Sequence, residues 1–268
     1  MSTYIDIGVN LTGSSFQDDL DGVVQRALRA GVGVMIVTGT DLEHSRRAIE
    51  LCRQYPGVLY ATAGVHPHHA DDYTEATGRQ LAELCGQDCV VALGECGLDY
   101  NRNFSTGVNQ RMVFEAQLKL AAAVGKPVFL HQREAHDDFI AMLTNARPQL
   151  SNAVAHCFTG TVAEVNEYLA LDMYVGVTGW ICDERRGRDL QHAVREIPLD
   201  RIMLETDAPY LLPRDLSKDP AEAPVKSRRN EPCYLPHIAE TVSRYMGVDV
   251  EELKQAAVTN AKRFFNIP

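Results

Sequence analysis

The most chemically loaded residues of the chain stand where apolar runs end. His66 follows one run in Gly64-Val65-His66-Pro67-His68. Glu95 closes the next in Gly94-Glu95-Cys96-Gly97-Leu98-Asp99. His131 ends a third in Phe129-Leu130-His131-Gln132-Arg133, and His156 a fourth in Ala155-His156-Cys157-Phe158-Thr159-Gly160. Asp207 ends a fifth in Leu204-Glu205-Thr206-Asp207-Ala208-Pro209. Neutral imidazole together with carboxylate suits several divalent ions, Zn²⁺ and Mn²⁺ among them, whereas Mg²⁺ prefers oxygen. A single histidine at such a place is ordinarily a hydrogen-bonded structural residue. Glu95, His131, His156 and Asp207 together are harder to place without a cation, because unpaired buried charge is expensive.

The neighbours of these residues divide by position. Glu205 precedes Asp207 by two and can face the same side as a supporting residue. Asp99, in the loop expected after Glu95, can orient a ligand or a water. Cys96 and Cys157 adjoin site residues and are expected to turn away as packing thiols. His68 and His69 run on into Asp71-Asp72 and are expected at the surface. The nearby bases are Arg102, Arg133, Arg185, Arg186, Lys226, Arg228 and Arg229. Arg133, two past His131, shares its side of a cleft, and guanidinium forks suit phosphate. Arg185-Arg186 and Arg228-Arg229 read equally well as solvated, salt-bridged loops.

What must position these residues is an alternation of strand and helix. Near-continuous apolar runs occupy 4–9, 32–37, 58–64, 89–93, 127–130, 153–155, 173–177 and 201–204, as in strands buried on both faces of a parallel sheet. Helical patterns lie between them. Leu20, Val23, Val24, Ala27 and Leu28 make one apolar face. Thr40 with Glu43 suggests a capping box for the second helix, and Asp249 with Glu252 for the last. Such a chain closes into a barrel or opens into a doubly wound sheet. An open dinucleotide-binding sheet calls for GxGxxG after the first strand, where this chain has Asn10-Leu11-Thr12-Gly13. The expectation is therefore an α/β fold, a TIM (β/α)₈ barrel, as one domain over 1–268. The longest irregular stretch, 209–236, follows the eighth strand, and a loop of that length is usually functional.

Composition narrows the class. The 268 residues carry a net charge of −10, which disfavours a protein that coats nucleic acid along a basic surface. Seven scattered cysteines without a CxxC pair suggest free thiols in a reducing compartment. The N-terminus shows no secretory pattern and no apolar run matches a membrane span, so the cytoplasm is expected. Nothing calls for an obligate protein partner, so a monomer is expected.

Taken together and in order, the five motifs resemble the TatD family of metal-dependent deoxyribonucleases. The opening Asp6-Ile7-Gly8-Val9-Asn10-Leu11-Thr12 and the segment Ser227-Arg228-Arg229-Asn230-Glu231-Pro232 extend that resemblance over nearly the whole chain. It implies a TIM barrel of the metal-dependent hydrolase type. It implies Glu95, His131, His156 and Asp207 as metal ligands, with His66 positioning substrate or water. It further implies Mg²⁺-dependent 3′-to-5′ exonuclease action on single-stranded DNA and RNA ends, in repair or turnover of nucleic acid. On this reading Glu95, Asp207 and His66 are catalytic, and Asp207 takes the proton of the attacking water. Arg133, Arg228, Arg229 and Asn10 then face the substrate. One departure stands out. Most of the family carry Asp-x-His-x-His at the first strand's end, where this chain has Gly8 and Asn10. Glycine ligates nothing and asparagine offers only an amide oxygen. That tilts the site toward oxygen-preferring Mg²⁺, with Mn²⁺ or Zn²⁺ as alternatives, and leaves one or two ions open. The rival activities are those of an amidohydrolase, a lactonase or an aminoacyl-tRNA deacylase on the same barrel, and the non-catalytic rival is a binding module.

Overall fold

A computed structural model of the chain describes residues 3–216 and 229–268. Eight parallel strands follow one another round the sheet in sequence order. They are β1 (Tyr4–Val9), β2 (Val32–Val37), β3 (Leu59–Ala63), β4 (Val90–Asp99), β5 (Val128–Arg133), β6 (Ala153–Ala155), β7 (Tyr174–Val177) and β8 (Ile202–Leu204). The ring closes between β8 and β1 through a single parallel bridge, Val9 to Ala208, rather than a full ladder. Two backbone bonds flank that bridge, Asn10 N to Ala208 O at 2.8 Å and Asp207 N to Gly8 O at 2.9 Å. The expected barrel is thus the observed one, and the seam falls beside Asp207.

The crossovers are α1 (Leu20–Arg29), α2 (Leu42–Gln54), α3 (Glu75–Cys85), α4 (Gly107–Val124), α5 (His136–Ala146), α6 (Val162–Ala170) and α7 (Arg188–Ala193), followed by α8 (Leu235–Met246) and α9 (Val250–Phe265). Asp249 caps α9 as expected, accepting from the N–H groups of Glu251 and Glu252. The second helix differs from expectation: Asp41, not Thr40, is its cap, accepting from His44 N at 2.7 Å. Thr40 instead gives its carbonyl to His66 N at 2.8 Å, so its place is set by the neighbouring strand end. No helix among the described residues is long and apolar enough to cross a membrane.

Most apolar burial lies between the strands and the surrounding helices. A second cluster joins Ile5, Ile7, Ile36, Phe129, Val154 and Met203 to Phe264 and Phe265. These side chains come from strands all round the ring, so the barrel is filled and α9 seals the end away from the candidate site.

The irregular stretch after β8 is tied down at its first described end. Arg214 Nε lies 3.0 Å from Asp183 Oδ2, and His237 Nε2 lies 2.7 Å from Asp215 Oδ1. At its second described end, Glu231 is fully buried between two guanidinium groups. Arg26 approaches at 2.7 Å, and Arg229 bonds Glu231 and also reaches Asp19 at 2.8 Å. Removing one partner from a buried ion pair leaves uncompensated charge. Glu231→Ala is therefore expected to lower stability by about 3 kcal/mol in urea unfolding; a change under about 0.5 kcal/mol would refute the role given to this cluster.

Candidate active site and metal centre

The candidate site is built from strand ends, and the glycines of β4 explain how. Sequence pattern ends the fourth strand near Leu93, but β4 runs on to Asp99. Gly97 adopts φ +147°, and a Cβ there would overlap the carbonyl of His131. Glycine lets β4 lie against β5 with Gly97 opposite His131 and Asp99 opposite Arg133. An irregularity between Gly94 and Cys96 in that register brings Glu95 into the barrel mouth. Asp99, expected in a loop, is the last residue of the strand.

Two buried glutamines of α4 clamp the backbone beside the site. Gln110 accepts from Asp99 N at 2.8 Å and donates to Asp99 O at 2.9 Å. Gln117 does the same to Val65, at 2.8 and 2.9 Å, fixing the residue before His66. Neither role is visible in sequence, where both read as ordinary helix residues.

Three imidazoles converge on one carboxylate oxygen. Glu95 Oε1 lies 2.8 Å from His156 Nε2, 3.0 Å from His131 Nδ1 and 3.4 Å from His66 Nε2. The outer nitrogens define what each ring can do. His156 Nδ1 meets Glu205 Oε2 at 3.2 Å, and His131 Nε2 meets Asp99 Oδ2 at 3.4 Å. Glu205 holds the outer nitrogen of His156 and leaves its inner nitrogen facing the site, the usual support of a metal-ligating histidine, while Asp99 lies beside His131 Nε2 without a hydrogen bond to it. His66 is the reverse. Its Nδ1 accepts from His68 N at 3.1 Å, so the neutral ring carries its proton on Nε2. Distance alone groups His66 with Glu95 and His131 as ligands; tautomer makes it a hydrogen-bond donor into the site instead.

Asp207 completes the group across the seam. It adopts φ 53°, a left-handed conformation that aspartate tolerates. Asn10 Nδ2 donates to Asp207 Oδ1 at 2.9 Å and to Ala208 O at 3.3 Å, so Asn10 orients Asp207. Glu205, fully buried, bonds His156 and the backbone N–H of Cys157. A Cβ on Gly8 or on Gly176 would overlap the Glu205 carboxylate. Gly8 is thus more than a missing ligand: in this chain the room beside it holds the carboxylate that orients His156.

The protonation pattern follows from crowding. Burial opposes charge on Glu95, but His156, His66 and His131 overcome it and hold its carboxyl well below the usual range. Burial likewise opposes charge on His156, and Glu95 and Glu205 override it, raising its pKa well above the ordinary value. Burial lowers His66 to about 4, against the pull of Glu95. Burial raises Asp207 to about 7, helped by Glu95 and Glu205. Among the described residues no lysine or arginine bonds Glu95, Glu205 or Asp207. As the site stands, protons on the imidazoles offset the carboxylate charge; with no lysine or arginine on these carboxyl groups among the described residues, a divalent cation fits in place of those protons.

The other residues singled out in sequence are placed as follows. His68, expected at the surface, is half-buried, because Asp99 Oδ2 takes its Nε2 at 2.8 Å. His69 is exposed, and Cys96 is buried in the core. All seven thiols are free. Arg186 pairs with Asp183 at 2.8 Å and lies over Trp180, while Arg185 is exposed. Arg133 ends β5 exposed. Arg229 corrects the sequence expectation: instead of facing phosphate, its guanidinium is held by Asp19, Glu231 and the carbonyl of Ser15, over the ring of Phe16. Lys226 and Arg228 lie outside the described residues. Two aromatic residues were not singled out, Phe104 and Tyr210. The signal for Phe104 is a lone ring in the polar run Asn101-Arg102-Asn103-Phe104-Ser105-Thr106, and that for Tyr210 is its place three residues past Asp207.

Comparison with known proteins agrees across sequence and fold. A family model described as TatD related DNase matches residues 5–266. A protein of Edwardsiella piscicida named 3′-5′ ssDNA/RNA exonuclease TatD is 53% identical over 263 residues, 98% of this chain and 99% of that one. The protein of the same name from Erwinia tasmaniensis is 51% identical over 262 residues, again 98% of this chain and 99% of its own length. Among solved structures, a TatD homologue from Escherichia coli superposes with a TM-score of 0.89 at 28% identity, covering 99% of this chain and 98% of that chain. A TatD family hydrolase from Entamoeba histolytica gives 0.87 at 29% identity, covering 100% and 99%.

Proposed function

The chain belongs to the TatD-related DNase family, and from that premise we propose that it is a divalent-metal-dependent 3′-to-5′ exonuclease on single-stranded DNA and RNA. The observation that carries the reading is the convergence of imidazoles on Glu95, beside Asp207, with no lysine or arginine on either carboxylate among the described residues. Glu95, His131, His156 and Asp207 would hold the ion. When bound there, a divalent ion would lower the pKa of a water and offset charge on the phosphate oxygens.

The protein's own groups supply the rest. Glu205 keeps His156 turned inward, and Asp99 lies beside the outer nitrogen of His131. His66 directs Nε2–H at a phosphate or water oxygen. Asp207, aimed by Asn10, takes the proton of the attacking water. Arg133, exposed at the end of β5, is a described guanidinium available to the strand's phosphates, as is Arg102 in the connection after β4. Mg²⁺ is the ion proposed, because Gly8 and Asn10 remove two imidazoles from the β1 end while three carboxyl groups crowd the mouth.

Chelation is expected to abolish shortening of a 5′-labelled single strand, and added Mg²⁺ to restore it, with products receding from the 3′ end. Undiminished cleavage in excess chelator would overturn the metal assignment. Restoration by Zn²⁺ but not Mg²⁺ would overturn the choice of ion.

A further inference from the structure

The family reading leaves open how so acidic a chain holds a polyanion. Its few exposed large apolar side chains bear on that. Phe104 and Tyr210 are 65% and 62% exposed, an unusual burden for aromatic rings. Both stand at the mouth of the barrel. Phe104 lies in the connection from β4 to α4, its ring 4.8 Å from His68 and edge-on to it. His68 in turn lies 4.2 Å from His66, and His66 4.5 Å from His131, so a line of rings runs from Phe104 into the candidate metal site. Tyr210 follows β8. Its N–H bonds Asp207 O at 3.0 Å and its carbonyl accepts from Asn230 at 2.6 Å, which fixes its backbone beside Asp207.

The strand order makes the pair informative. In a ring ordered β1 to β8, the strands β4 and β8 are diametrically opposed. Phe104 and Tyr210 therefore stand on opposite sides of the mouth, with the candidate ligands between them. An exonuclease bond has one nucleoside on each side of the scissile phosphate. Bases present apolar π-faces that stack on aromatic rings with little regard to sequence or sugar.

We propose that Phe104 and Tyr210 are stacking platforms for the two bases that flank the scissile phosphate of a single strand. The proposal rests on the exonuclease reading. It accounts for two exposed rings beside a polar site, and it gives a chain of net charge −10 a hold on nucleic acid that needs no basic surface. A duplex keeps its base faces stacked internally, so the platforms select single strands.

The test uses the full chain with added Mg²⁺, and single strands that are intact or carry one abasic residue at the terminal or the penultimate position. Phe104→Ala and Tyr210→Ala remove exposed rings, so both variants are expected to keep the wild-type circular dichroism. Each should raise KM for the intact strand about tenfold, with kcat changed less than twofold. Phe104→Trp and Tyr210→Phe should retain the wild-type KM. An abasic residue should raise KM for the wild type but add nothing in the variant whose ring it faces. Wild-type KM in both alanine variants, or an abasic penalty equally large in all proteins, would overturn the proposal while the exonuclease reading stands. If the wild type does not shorten the intact strand at all, the exonuclease reading fails and the proposal falls with it.

Discussion

Glu95→Gln is expected to lower kcat/KM for strand shortening about a thousandfold while the barrel stays folded. The substitution keeps shape and volume, so packing of β4 against β5 should persist. What it removes is the charge toward which His156, His131 and His66 all turn. A neutral amide cannot replace a carboxylate beside a divalent ion, and its N–H₂ group would face imidazole nitrogens. The loss asked for is about 4 kcal/mol of transition-state stabilisation, the scale of a disrupted metal site. Two measurements check it: initial rates on a labelled single strand, and calorimetric titration with Mg²⁺ or Mn²⁺. Retention of more than a tenth of the activity, with unaltered metal affinity, would remove Glu95 from the ligand set.

Gly8→Ala should act on the same site from the opposite side of the ring. The added methyl overlaps Glu205 and approaches Phe129 Cζ at 3.2 Å. Overpacking of this kind costs about 1–3 kcal/mol. The larger consequence is chemical. Displaced, Glu205 no longer holds His156 Nδ1 or the Cys157 N–H, and loss of such outer support lowers metal affinity or activity about 10–100-fold. Glu205→Ala should give a similar loss of activity without the overpacking. The double variant should then be no less active than Glu205→Ala alone, because the methyl has nothing left to displace. Additive losses in that cycle would show that Gly8 and Glu205 act independently.

These two positions show how legibility divided. Glu95 was readable because its type and its place at the end of an apolar run both survive in one dimension. The same holds for His131, His156 and Asp207: strand ends of a parallel barrel share one face, so residues far apart in sequence could be grouped before any contact was known. Glu205 could be placed on a side but not given a task. Its task depends on Gly8 and Gly176, which lie on other strands and vacate the space it fills. The arginines mislead for the same reason. Arg229 looks like a phosphate fork in sequence, yet Asp19 and Glu231 surround it once α1 packs beside the segment after β8. His68 reads as surface because its local neighbours are polar, and only the extension of β4 carries Asp99 to it.

By itself, then, the sequence determined the alternation of strand and helix, the barrel and the residue types gathered at its mouth. Those follow from local periodicity and chain direction, which a linear pattern contains. Tertiary structure decided which nitrogen of each histidine faces Glu95, which carboxylate bonds His156, which arginine is enclosed by carboxylates and which rings stand exposed. Such choices are settled by proximity across the ring, where a hydrogen bond or a clash between distant residues outweighs any local preference.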